Sequence, residues 1–423
     1  MRNIDYFRNK KITIIGLARS GLACANLLFD LGAQVSVTDS KDCEATRRSA
    51  AMLRSGAIKL ELGRHSKDFI QSRDLIVVSP GVTNDALPLA WAKELMIPVV
   101  SEIEVGWLLC SGTIIAVTGS GGKTTVTTLI GKIIGASGRR GFVCGNIGNP
   151  FTSEVANIGQ QDFVSLEISS FQLERIKGFH PKVAVMLNFS RNHLDRHADM
   201  QEYLNAKKRI FMNQDKDDFL VLNSQDPVLK ELANETKSKV VFFQQDKDLN
   251  PNQAAVAAVG LILGIDKEVC LEVFAEFKGL EHRMEFVAEV NRVKFFNDSK
   301  ATLVESTVWA IKNIKQPVIL IAGGKDKGVD YAGIIPEAKE KVKEVILIGE
   351  ARNKIRASLE NKLLIDEAGS LEEAVHKAYN FASPGDCVLL SPMCSSFDMF
   401  SSYEERGKVF KQVVRDLVKS ENK

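Results

Sequence analysis

Short apolar runs alternate along this chain with stretches whose apolar residues recur every three or four positions. Lys11–Ile15, Gln34–Thr38, Leu75–Val78 and Pro98–Glu102 read as strands near the N-terminus. Ile114–Val117, Asp162–Ile168, Val183–Leu187, Phe219–Asn223 and Val240–Phe243 follow in the middle, then Val293–Phe296, Pro317–Ala322, Val345–Ile348 and Asp386–Leu390. Unbroken apolar runs of this length belong to strands covered on both faces, as in parallel sheets. Helical spacing fills the intervals: a helix ending near Leu31, where Gly32 closes it, then Val126–Ile134, Tyr203–Phe211 and the Ala-rich Ala254–Ile265. Another helix is expected to start within Asn297–Thr302, with Asp298 or Ser299 as its cap. Strands alternating with helices predict an α/β fold with mostly parallel sheets.

One strand runs directly into a glycine loop, Thr118-Gly119-Ser120-Gly121-Gly122-Lys123-Thr124-Thr125, which opens a helix at Val126. Glycines there let backbone N–H groups converge on an anion, and the helix N-terminus adds positive potential. Lys123 can reach terminal phosphates and the Thr124 hydroxyl can ligate Mg²⁺. The full P-loop spacing would place its first glycine at Val117, so G-x-G-G-K-T from Gly119 is a shortened form. These residues predict a nucleoside triphosphate site. Glu167, near the end of the Asp162–Ile168 strand, is a candidate for holding Mg²⁺ opposite the loop.

Other candidates lie at strand ends. Gly16-Leu17-Ala18-Arg19-Ser20-Gly21 and a second strand ending at Asp39 form a βαβ unit with a poor dinucleotide fingerprint, since Ala18 stands where a close-approach glycine belongs. A nucleoside diphosphate is preferred to a dinucleotide there. The turns Ser79-Pro80-Gly81 and Gly145–Pro150 also follow strands. His193, Asp195 and His197 crowd together without zinc spacing, and a single His as a ligand of a second Mg²⁺ is the better reading. On helical spacing Lys207 joins the stripe of Tyr203 and Phe211, yet spacing alone favours a lysine snorkelling into solvent. Cys394 has no base adjacent in sequence and is disfavoured as a nucleophile.

With 423 residues the chain is too long for one core, and roughly two to four domains are expected. The net charge of +2 gives no electrostatic case for nucleic acid. No apolar run reaches the roughly 18 residues of a membrane span, and the N-terminus lacks an apolar signal core. Seven cysteines without a C-x-x-C pair fit reduced thiols in a cytoplasmic protein.

Taken in order, GSGGKTT (119–125), GNIGNP (145–150), LEISSFQLE (166–174), NFSRNHLDRH (188–197), NAKKRI (205–210), GLEHRME (279–285), NDSKAT (297–302) and SPMCSSFDMFSSYEERG (391–407) resemble the Mur ligases over essentially the whole chain. The resemblance implies three domains: Rossmann-like and UDP-substrate-binding over 1–101, P-loop ATPase-like and ATP-binding over 102–280, and Rossmann-like and amino-acid-binding over 281–423. Hinges are expected near Glu102 and Leu280. It further implies a monomeric, ADP-forming amide ligase that adds D-glutamate to UDP-N-acetylmuramoyl-L-alanine (UDP-MurNAc-L-Ala) through an acyl phosphate. Its cofactors would be ATP with two Mg²⁺ ions.

The site residues follow from that resemblance. Lys123, Lys207, His193 and Lys327 are catalytic. Gly119, Ser120, Gly121, Gly122, Lys123, Thr124, Thr125, Asn252, Arg283 and Asp298 bind the nucleotide. Ser20, Asp39, Ser40, Lys41, Asn146 and Ser169 hold the UDP substrate. Lys300, Thr302, Lys327, Ser396 and Phe397 take the amino acid. Thr124, Glu167, His193 and an N-carboxylated Lys207 hold metal, which reverses the solvated reading of Lys207. The chain departs from the family's pattern at Leu303, at Gly121 and in Leu249–Gln253, and it is short for the family. A related ligase with another amino acid or a folate substrate, or a nucleotide-switched binding protein, are the alternatives.

Overall fold

Val, Ile and Leu fill most strands so densely that both faces need cover, and the sheets meet that demand. A computed structural model describes residues 1–191, 196–326 and 328–421. The first sheet contains β1 (Lys11–Ile15), β2 (Gln34–Asp39), β3 (Lys59–Leu62), β4 (Leu75–Val78) and β5 (Val99–Ser101), all parallel, in the order β3-β2-β1-β4-β5. The second contains β6 (Thr113–Thr118), β7 (Gly141–Gly145), β8 (Phe163–Glu167), β9 (Val183–Met186), β10 (Phe219–Asn223) and β11 (Lys239–Phe243). These too are all parallel, in the order β11-β10-β9-β6-β8-β7. In both sheets the winding reverses at the first strand, which opens a crevice beyond the strands' C-terminal ends.

The third sheet has the order β12-β13-β17-β14-β15-β16, from β12 (Glu285–Val290), β13 (Val293–Asn297), β14 (Val318–Gly323), β15 (Val342–Ile348), β16 (Ile365–Glu367) and β17 (Cys387–Leu390). It is mixed, because β12 runs antiparallel at one edge. Asn291 and Arg292, both at positive φ, make the two-residue hairpin that turns β12 into β13. Val318, Leu320 and Ala322 enter the core on one face of this sheet, while Ile319 and Ile321 enter the other. Each face is therefore packed.

The chain divides into two compact units, Met1–Phe277 and the remainder from Lys278. Within the first unit one apolar cluster runs through both sheets, joining Ile12, Ile14, Val37 and Val77 to Ala116, Val164 and Leu166. The helix Glu102–Leu109 lies in that cluster and is buried along most of its length. Hydrogen bonds meet both carboxylate oxygens of Glu104 but only one of Glu102, whose Oε2 is buried without a partner and whose carboxyl burial pushes above its usual range. Glu102 accepts from the Thr152 N–H (2.6 Å) and Oγ1 (2.8 Å), and Glu104 accepts from the N–H groups of Lys177, Gly178 and Phe179. So the strand expected to run to Glu102 stops at Ser101, and the hinge expected at Glu102 meets a tied, buried carboxylate.

The helix expected to start within Asn297–Thr302 begins at Val304, with Leu303 before it and no side-chain cap. Asp298 and Ser299 are engaged elsewhere: Asp298 accepts from the Met284 N–H and from Ser391 Oγ, and Ser299 bonds to Arg406. The helix placed at Ala254–Ile265 spans Pro251–Ile262 and is capped by Asn250, whose side chain accepts from the N–H groups of Asn252 and Gln253.

Candidate active site

The glycine loop leaves β6 and enters the helix Lys123–Ala136. Gly122 precedes that helix at φ +79, and a Cβ there would come 2.5 Å from Asn252 Oδ1. Only glycine combines that backbone with that approach. Asn252, expected beside the nucleotide, is thus at the loop. Asn188, which follows β9, fixes the loop's shape: its Oδ1 accepts from the Gly121 N–H (2.8 Å), and its carbonyl accepts from the Ser120 N–H (3.1 Å). Ser120 Oγ donates to the Ser190 carbonyl (3.1 Å) and lies 3.3 Å from the Tyr203 hydroxyl. Lys123 folds back, and its Nζ donates to the Gly119 carbonyl at 2.9 Å. Thr124 is buried and Thr125 half-buried in the first turn.

Two buried ionisable groups face this loop from neighbouring elements. Glu167 ends β8 opposite Val117 of β6, which brings it beside the start of the loop. Its Oε1 accepts from Asn146 Nδ2 at 2.8 Å, while its Oε2 is buried with no hydrogen-bond partner. Asn146 is set by Gly145, at φ +103, where a Cβ would lie 2.4 Å from the Glu167 carbonyl. A buried carboxylate oxygen without a donor is the ligand chemistry a hard divalent cation takes, so Mg²⁺ fits at Glu167. Lys207 is 1% exposed, which overturns the solvated reading: its Nζ donates to the same Gly119 carbonyl that Lys123 uses (2.9 Å) and sits over the Tyr203 ring. Burial, then the Lys123 charge, holds its ammonium well below the usual lysine range. His193 lies outside the described residues. His197 is no metal ligand in this arrangement: it is buried, stacked on Phe171 with ring centres 5.3 Å apart, and bonded through Nε2 to Ser170 Oγ.

In the first sheet, the loop after β1 is held by β2 and β4. Asp39 accepts from the Leu17 N–H (2.7 Å) with one carboxylate oxygen and from the Lys41 N–H (2.8 Å) with the other. Ser79 Oγ donates to the Gly16 carbonyl. Gly21 stands so close that a Cβ would meet that carbonyl at 1.9 Å, which makes it the close-approach glycine of this turn. Ser20 lies in the first turn of the helix Arg19–Asp30, and Ser40 and Lys41 follow β2. Arg19 donates to the Gly148 carbonyl and so ties this loop to the turn that carries Asn146. Ser169 caps the short helix Ser170–Leu173 by accepting from the Gln172 N–H.

In the second unit, the loops after β13, β14 and β17 meet. Gly323 donates its N–H to the Pro392 carbonyl, Lys325 to the Ser395 carbonyl, and Met393 to the Ala301 carbonyl. Lys300 lies over the Tyr403 ring, and Thr302 is on the same loop. Ser396 is buried and Phe397 exposed. Lys327 lies outside the described residues. Asp298 is 7% exposed, and burial pushes its carboxyl up to about 7 against the pull of Ser391, Met284 and Arg283. Cys394 is fully buried 3.3 Å from the Tyr331 hydroxyl, away from any role as an attacking thiol. Asn188, Tyr203 and Arg406 are the residues the sequence reading passed over. Each had a signal: Asn188 opens the 188–197 block directly after a parallel strand, Tyr203 shares the helical stripe of Lys207, and Arg406 lies in the 391–407 block.

A glycine cradle at the C-terminal edge of a parallel sheet, faced by a buried carboxylate and a buried lysine, defines a P-loop nucleotide-dependent protein. Family models agree in detail. The Mur ligase MurD-like N-terminal domain matches residues 10–101, the Mur ligase middle domain 117–269, and the Mur ligase glutamate ligase domain 282–394. The UDP-N-acetylmuramoylalanine–D-glutamate ligase of Geotalea uraniireducens is 43% identical, with 97% of this chain and 98% of that protein covered. The enzyme of the same name from a Thermoanaerobacter species is 38% identical over 97% and 99%. Among solved structures, the UDP-N-acetylmuramate-alanine ligase MurC of Thermotoga maritima shares the fold, with a TM-score of 0.61, 17% identity and coverage of 96% of this chain and 100% of that one. This chain belongs to the Mur ligase family.

Proposed function

We infer that this chain is an ATP-dependent amide ligase that joins D-glutamate to UDP-MurNAc-L-Ala, releasing ADP and phosphate, in the cytoplasmic synthesis of peptidoglycan precursors. Its relatives of that name cover it from end to end, and its P-loop supplies a cradle for the donor phosphates. An oxygen of the substrate carboxylate attacks the γ-phosphorus of ATP, and ADP leaves. The amine of D-glutamate then attacks the acyl carbon to give a tetrahedral intermediate, and phosphate departs with its P–O bonds intact. In phosphoryl transfer, positioning and charge neutralisation matter more than covalent help. Backbone N–H groups of the loop and the helix N-terminus, with Lys123, would carry the γ-phosphate. Thr124 and Glu167 would hold Mg²⁺, which neutralises phosphate charge when bound. The amino acid would be held by Lys300, Thr302, Ser396 and Lys327, cations and hydroxyls that suit a dicarboxylate.

The observation that carries the phosphate end of this reading is the pair of lysines on one carbonyl. Lys123 and Lys207 both donate to Gly119 O, so a buried site holds two amines that cannot comfortably both be charged. Burial, then the Lys123 charge, favours the neutral amine of Lys207, the form that adds carbon dioxide and releases a proton to become a carbamate. The product would be an anion beside Lys123, a ligand for a second Mg²⁺ and relief for the like-charge clash. The protein would act as a monomer on small molecules.

The test is phosphate release from ATP and UDP-MurNAc-L-Ala with D-glutamate, L-alanine, meso-diaminopimelate or L-lysine offered separately. D-Glutamate alone is expected to drive turnover. Release driven by another amino acid reassigns the specificity, and release that needs none makes the chain a nucleotide switch.

A further inference from the structure

Arg406 lies in the first turn of the helix Tyr403–Glu421 and is 1% exposed, which makes it the largest fully buried side chain among the described residues. Its guanidinium reaches two loops at once. Nε donates to Ser299 Oγ (3.0 Å) and Nη2 to the Ser299 carbonyl (2.8 Å), while Nη1 and Nη2 both donate to the Cys394 carbonyl (3.2 Å each). A third loop closes over it, since a Cβ on Gly324 would lie 3.2 Å from Nη1. No carboxylate forms an ion pair with Arg406 among the described residues, though Asp398 acts on it electrostatically. Burial draws it down to about 10, so it stays a cation at neutral pH.

A buried cation without an ion-pair partner is poor economy for stability alone, because a well-packed apolar side chain of similar volume commonly serves as well or better. What an apolar side chain lacks is the rigid, planar fork, with donors spread to meet acceptors on both sides. Here those acceptors belong to the loop that continues to Lys300 and Thr302 and to the loop that continues to Ser396 and Phe397. We propose that Arg406 is a positioning residue of the amino-acid site, a fork that sets the 299–302 loop against the 394–397 loop at the spacing that grips the incoming amino acid. This rests on the reading of those loops as the D-glutamate site. Ser299 is the matching half of the device: its Oγ accepts from the Arg406 Nε–H and donates its own O–H to the Tyr403 carbonyl at 2.8 Å. Lysine at 406 keeps the charge but offers a single point, so it cannot hold both loops.

The test compares the full-length wild type with Arg406→Lys and Ser299→Ala. In Arg406→Lys the KM for D-glutamate is expected to rise roughly tenfold or more, with KM for ATP and for UDP-MurNAc-L-Ala within about twofold of wild type. Ser299→Ala, which removes one of the fork's acceptors and leaves the cation, is expected to show the same split to a smaller degree. Amide hydrogen exchange supplies a readout that needs no substrate: protection in 299–302 and 393–397 should fall in both variants while β14 stays protected. Unchanged exchange in those loops overturns the proposal, as does an equal shift in all three KM values. A wild type that ignores D-glutamate but variants that loosen both loops would sink the substrate assignment and leave the positioning role standing.

Discussion

Lys207 and Asp298 show how burial changes what a side chain can do. Lys207 shares a carbonyl with Lys123 inside the first unit, where burial, then the Lys123 charge, holds its ammonium well below the usual lysine range. Replacing it by alanine is expected to stop phosphate release, and added acetate should restore part of the rate by standing in for the missing carbamate. Failure of any short carboxylate to restore turnover would leave Lys207 as a structural amine only. Asp298 works in the other direction. Its folded pKa of about 7 lies above the ordinary aspartate value, so protonation favours the folded state. The stability it contributes is full below about pH 4 and is lost as pH rises toward about 7. Asp298→Asn has no such loss. Its unfolding free energy relative to wild type should climb between about pH 4 and 7 and then level off, by an amount on the order of a few kcal/mol. A flat difference across that range would place the ionised Asp298 in a well-solvated or ion-paired setting.

Among the elements, the parallel strands deliver the chemistry at their C-terminal ends, and single glycines decide how closely those ends meet. Gly145 ends β7 at φ +103 with the Glu167 carbonyl in the place a Cβ would take. Gly145→Ala must push β7 away from β8 and with it Asn146, the donor that orients Glu167. A loss of roughly 1–3 kcal/mol in thermal unfolding is expected. Gly121→Ala, with open space around its Cβ, should stay within about 0.5 kcal/mol of wild type. Equal losses would mean that the tight approach at Gly145 relaxes freely. The sequence made most strands legible because unbroken apolar runs have few other fates. It missed β3, β7, β12 and β16: Lys59–Leu62 and Glu285–Val290 are broken by charge, Gly141–Gly145 starts and ends in glycine, and Ile365–Glu367 is three residues long. All four lie at sheet edges, where one side needs no partner and the apolar signal fades.

For the whole molecule, the core predicts how the chain can be divided. One apolar cluster threads both sheets of the first unit, whereas the unit from Lys278 has its own cores on both faces of a single sheet. A fragment starting at Lys278 is expected to unfold in one cooperative thermal transition by circular dichroism. A fragment of residues 1–101 is expected to lack one, because part of its core belongs to the second sheet. A cooperative 1–101 fragment would mean that the shared cluster contributes little to holding the first sheet together.

By itself, the sequence determined most of the strands, the phosphate loop and the family. Each of these is written in local spacing: apolar runs, glycines before a lysine, motifs in series. Spacing could not place Lys207 inside, since it shows which residues share a face and not which neighbour covers it; the resemblance implied that place and the tertiary structure shows it. Tertiary structure alone decided that Asp298 and Ser299 hold distant loops instead of capping a helix, and that Arg406 joins two segments more than ninety positions apart in the chain. Burial and hydrogen-bond partners over such distances depend on how the chain folds back on itself, and no short stretch of residues carries that information.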